Sequence, residues 1–217
     1  MPTIEQARDW YPNDDPVHGF DHVLRVYFMA ERLSQAEGAD LEIVRAAALL
    51  HDAGDGLAAD AGDHALRQGH HHASAEFAAR VLAAEGWTQE RISEVQHCIR
   101  SHRFRDDSEL PRSLEARVLF DADKLDAIGA IGVARALAFA VRRGQPVYAP
   151  PSEQFLHTGK TQGDEPHSAY HEFRFKLVKL KDRLFTPAAR IIAEQRHQQM
   201  VDFFERLADE AEGYPAT

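Results

Sequence analysis

His51 and Asp52 stand side by side at the end of an almost unbroken apolar run, Leu41-Glu42-Ile43-Val44-Arg45-Ala46-Ala47-Ala48-Leu49-Leu50. A run that greasy belongs in a core, where an imidazole beside a carboxylate is costly unless something pairs with both. A buried His–Asp hydrogen bond would do so. So would a divalent cation, which takes a nitrogen from neutral His and an oxygen from ionised Asp.

Three further elements carry residues of the same kind. His22 lies early in His18-Gly19-Phe20-Asp21-His22-Val23-Leu24-Arg25-Val26, where His18 and His22 share one face if the helix already runs there. Phe120-Asp121-Ala122-Asp123-Lys124-Leu125-Asp126 sets three carboxylates in an otherwise apolar stretch. A looser set comprises His70, His71, His72, His97 and His102. His22, His51, Asp52 and one of Asp121, Asp123 and Asp126 would make a two-His, two-carboxylate group. Such mixed nitrogen and oxygen sets suit Mn²⁺, Fe²⁺, Co²⁺, Ni²⁺ or Zn²⁺ and leave positions open for water. Water on a divalent ion is a nucleophile at neutral pH. A closed structural zinc site would favour cysteine, and Cys98 is the single one here.

The elements that must position these groups read as helix after helix, rich in Ala, Leu, Glu and Arg. Helices are expected over about 3–11, 20–37 (ended by Gly38), 40–52 (Asp40 as N-cap), 72–85 (ended by Gly86), 89–101 (capped by Thr88), from Pro111 through the Asp-rich stretch, 130–142, 167–184 and 187–211. His70-His71-His72 then reads as a solvated loop before a helix. Residues 144–166 differ in kind. Gly144, Pro146, Pro150, Pro151, Gly159, Gly163 and Pro166 crowd together, which reads as a long loop, either a lid or disordered.

Composition narrows the function classes. With 217 residues and 44% hydrophobic content, one sizeable domain is expected over 1–217, with a core over about 18–130 and C-terminal helices over 167–211. No run approaches the roughly 18 apolar residues of a membrane span, and Met1-Pro2-Thr3-Ile4-Glu5-Gln6 lacks the pattern of a secretory signal. A single cysteine fits a reducing, cytoplasmic setting, with Cys98 as a small core residue. A net charge of −10 argues against binding duplex nucleic acid but leaves room for a small anionic substrate, since a cation can dominate the field within a pocket. An acidic, Ala-rich helical surface also permits a homodimer.

The ordered set His22, His51-Asp52 and Asp123 resembles the HD-domain metal-dependent phosphohydrolase superfamily, whose pattern is H…HD…D. The likeness is closest to the small stand-alone bacterial hydrolases of the YedJ-like group. It is carried by Asp21-His22-Val23-Leu24-Arg25-Val26, by Ala46-Ala47-Ala48-Leu49-Leu50-His51-Asp52, by Asp121-Ala122-Asp123-Lys124-Leu125-Asp126-Ala127-Ile128-Gly129-Ala130-Ile131-Gly132 and by Lys176-Leu177-Val178-Lys179-Leu180. It covers about 18–207.

The resemblance implies an all-α orthogonal bundle with a C-terminal helical extension and one divalent cation (Mn, Fe, Co, Ni, Zn or Mg). The expected reaction is hydrolysis of a phosphate ester or phosphoanhydride, most naturally of a nucleotide. It selects Asp123 as the fourth ligand and leaves Asp121 and Asp126 to orient a ligand or a helix end. Asp55 and His18 are expected to assist proton transfer, although Asp55 is shorter than the Glu of several relatives. Arg25, Lys124, Lys176, Lys179 and His102 are expected near phosphate, with Lys176 the best placed by family likeness. Some relatives hold a second metal through added histidines, for which His72 and His102 fall in the right order. Two rival readings follow: a di-iron oxygenase of the HD type, which would need that second metal, and a non-catalytic sensor of metal or nucleotide.

Overall fold

The computed structural model describes residues 1–11, 19–53, 66–103 and 109–213, with the backbone alone over 66–70. Regular structure among the described residues is entirely helical. The helices are α1 (Ile4–Arg8), α2 (Phe20–Glu37), α3 (Leu41–Leu50), α4 (Leu66–Ala84), α5 (Gln89–Ser101), α6 (Leu114–Asp126), α7 (Gly129–Arg142), α8 (Glu153–Thr158), α9 (Ala169–Phe175) and α10 (Pro187–Glu212). None is long and apolar enough to cross a membrane.

Cap chemistry starts and stops several of these helices where the sequence marks them. The Asp40 carboxylate accepts from the Glu42 and Ile43 amides at the start of α3. Thr88 does the same for Arg91 at the start of α5. Gly38 ends α2 with φ +78, a left-handed conformation that favours glycine.

The chain forms two compact units. The first comprises Met1–Asp123 together with Phe185–Ala189, the second Lys124–Leu184 together with Arg190–Thr217. In the first unit α3 is the axle. Ile43, Val44 and every residue from Ala46 to Leu50 are fully buried, and α1, α2, α4 and α5 pack around this helix. Removing that much apolar surface from water is the main favourable term for the unit. Burial of Cys98 on α5 pushes its thiol up, as expected of a core residue and not of a nucleophile.

α4 begins at Leu66, so His70, His71 and His72 are helical and do not form the expected loop. Gly69 and the histidine run hide the helix from a propensity reading. The buried face is carried by His71, Ser74, Ala75, Ala78 and Leu82, at helical spacing but mostly small or polar.

In the second unit, the expected helix over 167–184 is broken. After α9 the chain tightens into 3-10 turns at Leu177–Lys179 and Lys181–Arg183. Leu177 and Leu180, three apart, are both buried, a spacing that a three-residue turn brings to one face. Phe173 stacks on Phe204 of α10 with ring centroids 4.5 Å apart.

The segment 144–166 is not a bare loop, because it contains α8, capped by Ser152 and ended by Gly159 at φ +71. One carboxylate organises it. Glu165 accepts from the Ser152 amide at 2.5 Å, the Ser152 hydroxyl at 2.7 Å and the Gln162 amide at 2.7 Å. His171 Nε2 donates to it at 3.0 Å, while the Ser168 hydroxyl donates to His171 Nδ1 at 2.7 Å. Desolvation alone would raise the Glu165 carboxyl. The hydrogen bonds from Ser152, Gln162 and His171 outweigh it and hold the carboxyl down to about 2. The pinning is therefore complete above the ordinary carboxylate range and is lost only as pH falls through about 2. Glu165→Ala should speed limited proteolysis within 144–166 several-fold at neutral pH while leaving helical circular dichroism unchanged. Unaltered cleavage would show that the segment is held by other means.

Candidate metal centre

The end of α3 explains why a histidine stands there. The last carbonyls of a helix lack intrahelical partners and, when buried, must find others. The Ala48 carbonyl accepts from His51 Nδ1 at 2.8 Å, the Leu49 carbonyl from the Tyr11 hydroxyl at 2.9 Å and the Leu50 carbonyl from the Ala53 amide at 3.3 Å. The first of these bonds puts the His51 proton on Nδ1 and leaves Nε2 with a lone pair. That Nε2 is buried and makes no hydrogen bond among the described residues.

α5 ends in the same way. His102 follows its last helical residue, and His102 Nδ1 meets the Ile99 carbonyl at 2.5 Å. The two rings lie edge to face, 5.3 Å apart. His22, in the first turn of α2, stands on the other side of His51 at 5.4 Å.

Two carboxylates face these nitrogens. Asp52 Oδ2 lies 3.4 Å from His51 Nε2 and 3.8 Å from His22 Nε2, and Asp52 Oδ1 lies 3.6 Å from His102 Nε2. Asp123 Oδ1 lies 3.4 Å from His22 Nε2. These separations exceed the usual N–H···O distance. The two of 3.4 Å, His51 to Asp52 and His22 to Asp123, suit donors sharing one ion, since two ligands at about 2.1 Å from a metal sit about 3.0–3.5 Å apart at right-angle or tetrahedral directions, and the other two are slightly longer. Ligand atoms of His22, His51 and Asp123 all fall within 4.8 Å of one another, a group that could hold a metal ion. The histidines are buried, whereas Asp52 and Asp123 retain 12% and 15% exposure, so the cluster opens on its carboxylate side.

Electrostatics favours the same use. Burial pushes His51 down to about 4; the Asp52 and Asp123 carboxylates oppose the shift, while His102 and His22 add to it. The ring is therefore neutral at pH 7, the state in which Nε2 can bind a cation.

The remaining sequence candidates fall in various places. Arg25 is half-buried on α2, three residues beyond His22. Lys124 is nearly buried on α6. Lys176 follows α9 and pairs with Glu172 at 2.6 Å. Lys179 stacks over the Phe175 ring at 4.6 Å. His72 is exposed on α4 with its ring 4.1 Å from that of His71, and it lies outside the group that could hold a metal. His97 is engaged elsewhere: its Nδ1 meets Glu109 at 2.7 Å and its Nε2 accepts from the Arg112 amide at 3.1 Å. Asp126 pairs with Arg135 at 2.8 Å. Asp121 is fully buried and accepts from Phe185 and Thr186. His18 and Asp55 lie outside the described residues. Sequence reasoning missed Tyr11 and Thr186. Thr186-Pro187 carries a helix-start signature, but nothing in the pattern ties either residue to a distant partner.

A family model for the HD domain matches residues 19–128. YpgQ of Bacillus subtilis (strain 168) is 35% identical over 223 residues, spanning 100% of this chain and 97% of YpgQ. The crystal structure of Bacillus subtilis YpgQ in complex with ADP matches with a TM-score of 0.71 and 32% identity, over 97% of this chain and 99% of that one. An HD-superfamily hydrolase from Bacillus thuringiensis matches with a TM-score of 0.69 and 30% identity, over 97% and 95%. The chain belongs to the HD-domain family, and its all-helical fold is that of HD-superfamily hydrolases.

The depressed His51 value carries a pH dependence. Its folded value, about 4, lies below the ordinary 6.5, so the unfolded chain binds more protons between those pH values. The contribution of His51 to stability is therefore fully present above pH 6.5 and is lost as pH falls to about 4, on the order of 3 kcal/mol in all. Denaturant unfolding of the metal-free protein across this window should show the decline, and His51→Leu should flatten it. An equal decline in both proteins would assign the slope to other groups.

Proposed function

We propose that the protein is a metal-dependent phosphohydrolase that cleaves a phosphate ester or phosphoanhydride of a nucleotide. The observation that carries the reading is the buried His51 Nε2, which has no hydrogen-bond partner among the described residues, has its lone pair left open by the Nδ1 bond to Ala48, and faces Asp52 beside His22 and Asp123. In this reading His22, His51, Asp52 and Asp123 hold one divalent ion. When bound, such an ion lowers the pKa of its water and neutralises charge on phosphate oxygens.

The side chains do the remaining work. His51 and His102 each present Nε2 with the ring orientation set by a main-chain carbonyl, so neither must reorganise as charge develops. His102, whose Nε2 faces Asp52 Oδ1, is assigned to a phosphate oxygen or, through that nitrogen, to the metal. Arg25, a helical turn on from His22, is assigned to the phosphate as a forked donor. Asp55 and His18 are assigned to proton transfer on the strength of the family resemblance. The ADP held by the YpgQ crystal structure supports a nucleotide as the ligand class.

The decisive experiment strips the protein of metal, resupplies Mn²⁺, Co²⁺, Ni²⁺, Mg²⁺ or Zn²⁺ one at a time, and measures release of phosphate or pyrophosphate from a nucleotide panel. Metal-restored turnover is expected, with losses of at least about a hundredfold in Asp52→Ala and Asp123→Ala. Tight nucleotide binding without turnover under any metal would overturn the hydrolase in favour of a sensor.

A further inference from the structure

Phe185–Ala189 belongs to the first compact unit, although the chain on either side of it forms the second. Inside the first unit one carboxylate grips this five-residue strap. Asp121, fully buried on α6, accepts from the Phe185 amide through Oδ1 at 2.9 Å. Its Oδ2 accepts from both the amide and the hydroxyl of Thr186, each at 2.7 Å. The Phe185 ring meets Phe120 edge to face at 5.1 Å. Further along the strap, the Ala188 amide donates to Glu37 at the end of α2, at 2.7 Å. The strap therefore binds together the two helices that carry His22 and Asp123.

The geometry of α6 gives this link a lever. At about 100° per residue, positions 121 and 123 point to nearly opposite sides of the helix. Asp123 faces His22, whereas Asp121 faces the strap. A roll of α6 that withdraws Asp123 from His22 must also pull Asp121 off these donors in the strap. Taking donors away from a buried carboxylate is costly, so the roll is resisted.

We propose that Phe185–Ala189 is a positioning strap for the metal centre, with Asp121 and Thr186 setting the roll of α6 and so placing the Asp123 carboxylate opposite His22. This rests on the reading of His22, His51, Asp52 and Asp123 as the residues that hold a divalent ion. Thr186 touches no ligand; it acts through Asp121 and α6. Residues that support metal ligands in this way typically affect affinity by tenfold or more.

The test is Mn²⁺ binding to the full-length, metal-stripped protein, with free Mn²⁺ followed by electron paramagnetic resonance. Thr186→Val removes the hydroxyl without altering charge but also removes its contact with the Ala189 amide at 3.4 Å, at the start of α10. Asp121→Asn keeps that contact but removes a charge near the cluster. The two variants have different side effects, so a shared loss isolates the bracket. Each should weaken Mn²⁺ binding about tenfold or more, and the double variant should be no worse than Asp121→Asn alone. Thr186→Ser should restore affinity to within about twofold of the wild type.

Leu82→Ala, in the buried face of α4, which carries none of the four ligands, lowers stability and should leave affinity unchanged. Wild-type affinity in Thr186→Val and Asp121→Asn would overturn the strap. So would an equal loss in Leu82→Ala, which would make the effect one of stability alone. A wild-type protein that binds no Mn²⁺, Co²⁺, Ni²⁺ or Zn²⁺ would instead overturn the metal reading beneath it.

Discussion

The rest of the first unit depends on one requirement: a fully buried helix must not leave its last carbonyls unpaired. Ala48, Leu49 and Leu50 are fully buried at that end, so protein groups supply the donors. Tyr11 serves Leu49 from the first element of the chain, and His51 serves Ala48 from the helix cap itself. Satisfying the carbonyl also selects the histidine tautomer and aims the other nitrogen. Backbone saturation and ring orientation are thus one bond, repeated by His102 at the end of α5. Loss of that bond would cost the helix end and the ring orientation together.

The local field of the side chains has the same sign as the whole-molecule charge. A chain with a net charge of −10 concentrates nitrogen donors at this one place and surrounds them with two partly exposed carboxylates. An anion is not welcomed there by the side chains alone. Membership of the HD-domain family fits that balance, because a cation among those groups reverses the local sign. No concentration of lysine is needed around the cluster itself.

Much of this was legible in the residues. A polar pair closing an apolar helix announces itself, and Asp40, Thr88 and Gly38 mark helix ends by chemistry that acts within a few residues. The choice among Asp121, Asp123 and Asp126 was not legible from spacing, because all three sit in one helix and only tertiary partners distinguish them. In the structure each meets something different: the 185–186 amides, His22 and Arg135. The early start of α4 was hidden for a related reason, since its buried face is built from alanine, serine and histidine, which carry little hydrophobic signal. Helix 167–184 failed as a single element where two leucines three apart could be buried by a tighter turn. Short-range chemistry was readable; contacts between residues far apart in the chain were not.

The discontinuous make-up of the first unit bears on how the protein is born. Sixty-six residues separate Asp123 from Ala189, the last residue of the strap. A ribosome adding roughly 5–20 residues per second takes about 3–13 s to cover that distance. Throughout that interval α2, α3, α5 and α6 as far as Asp123 have been synthesised while Asp121 still lacks its donors in the strap. The nascent chain therefore holds His22, His51, Asp52 and Asp123 before it holds Phe185–Ala189, and the first unit is completed only when the chain has gone away and come back.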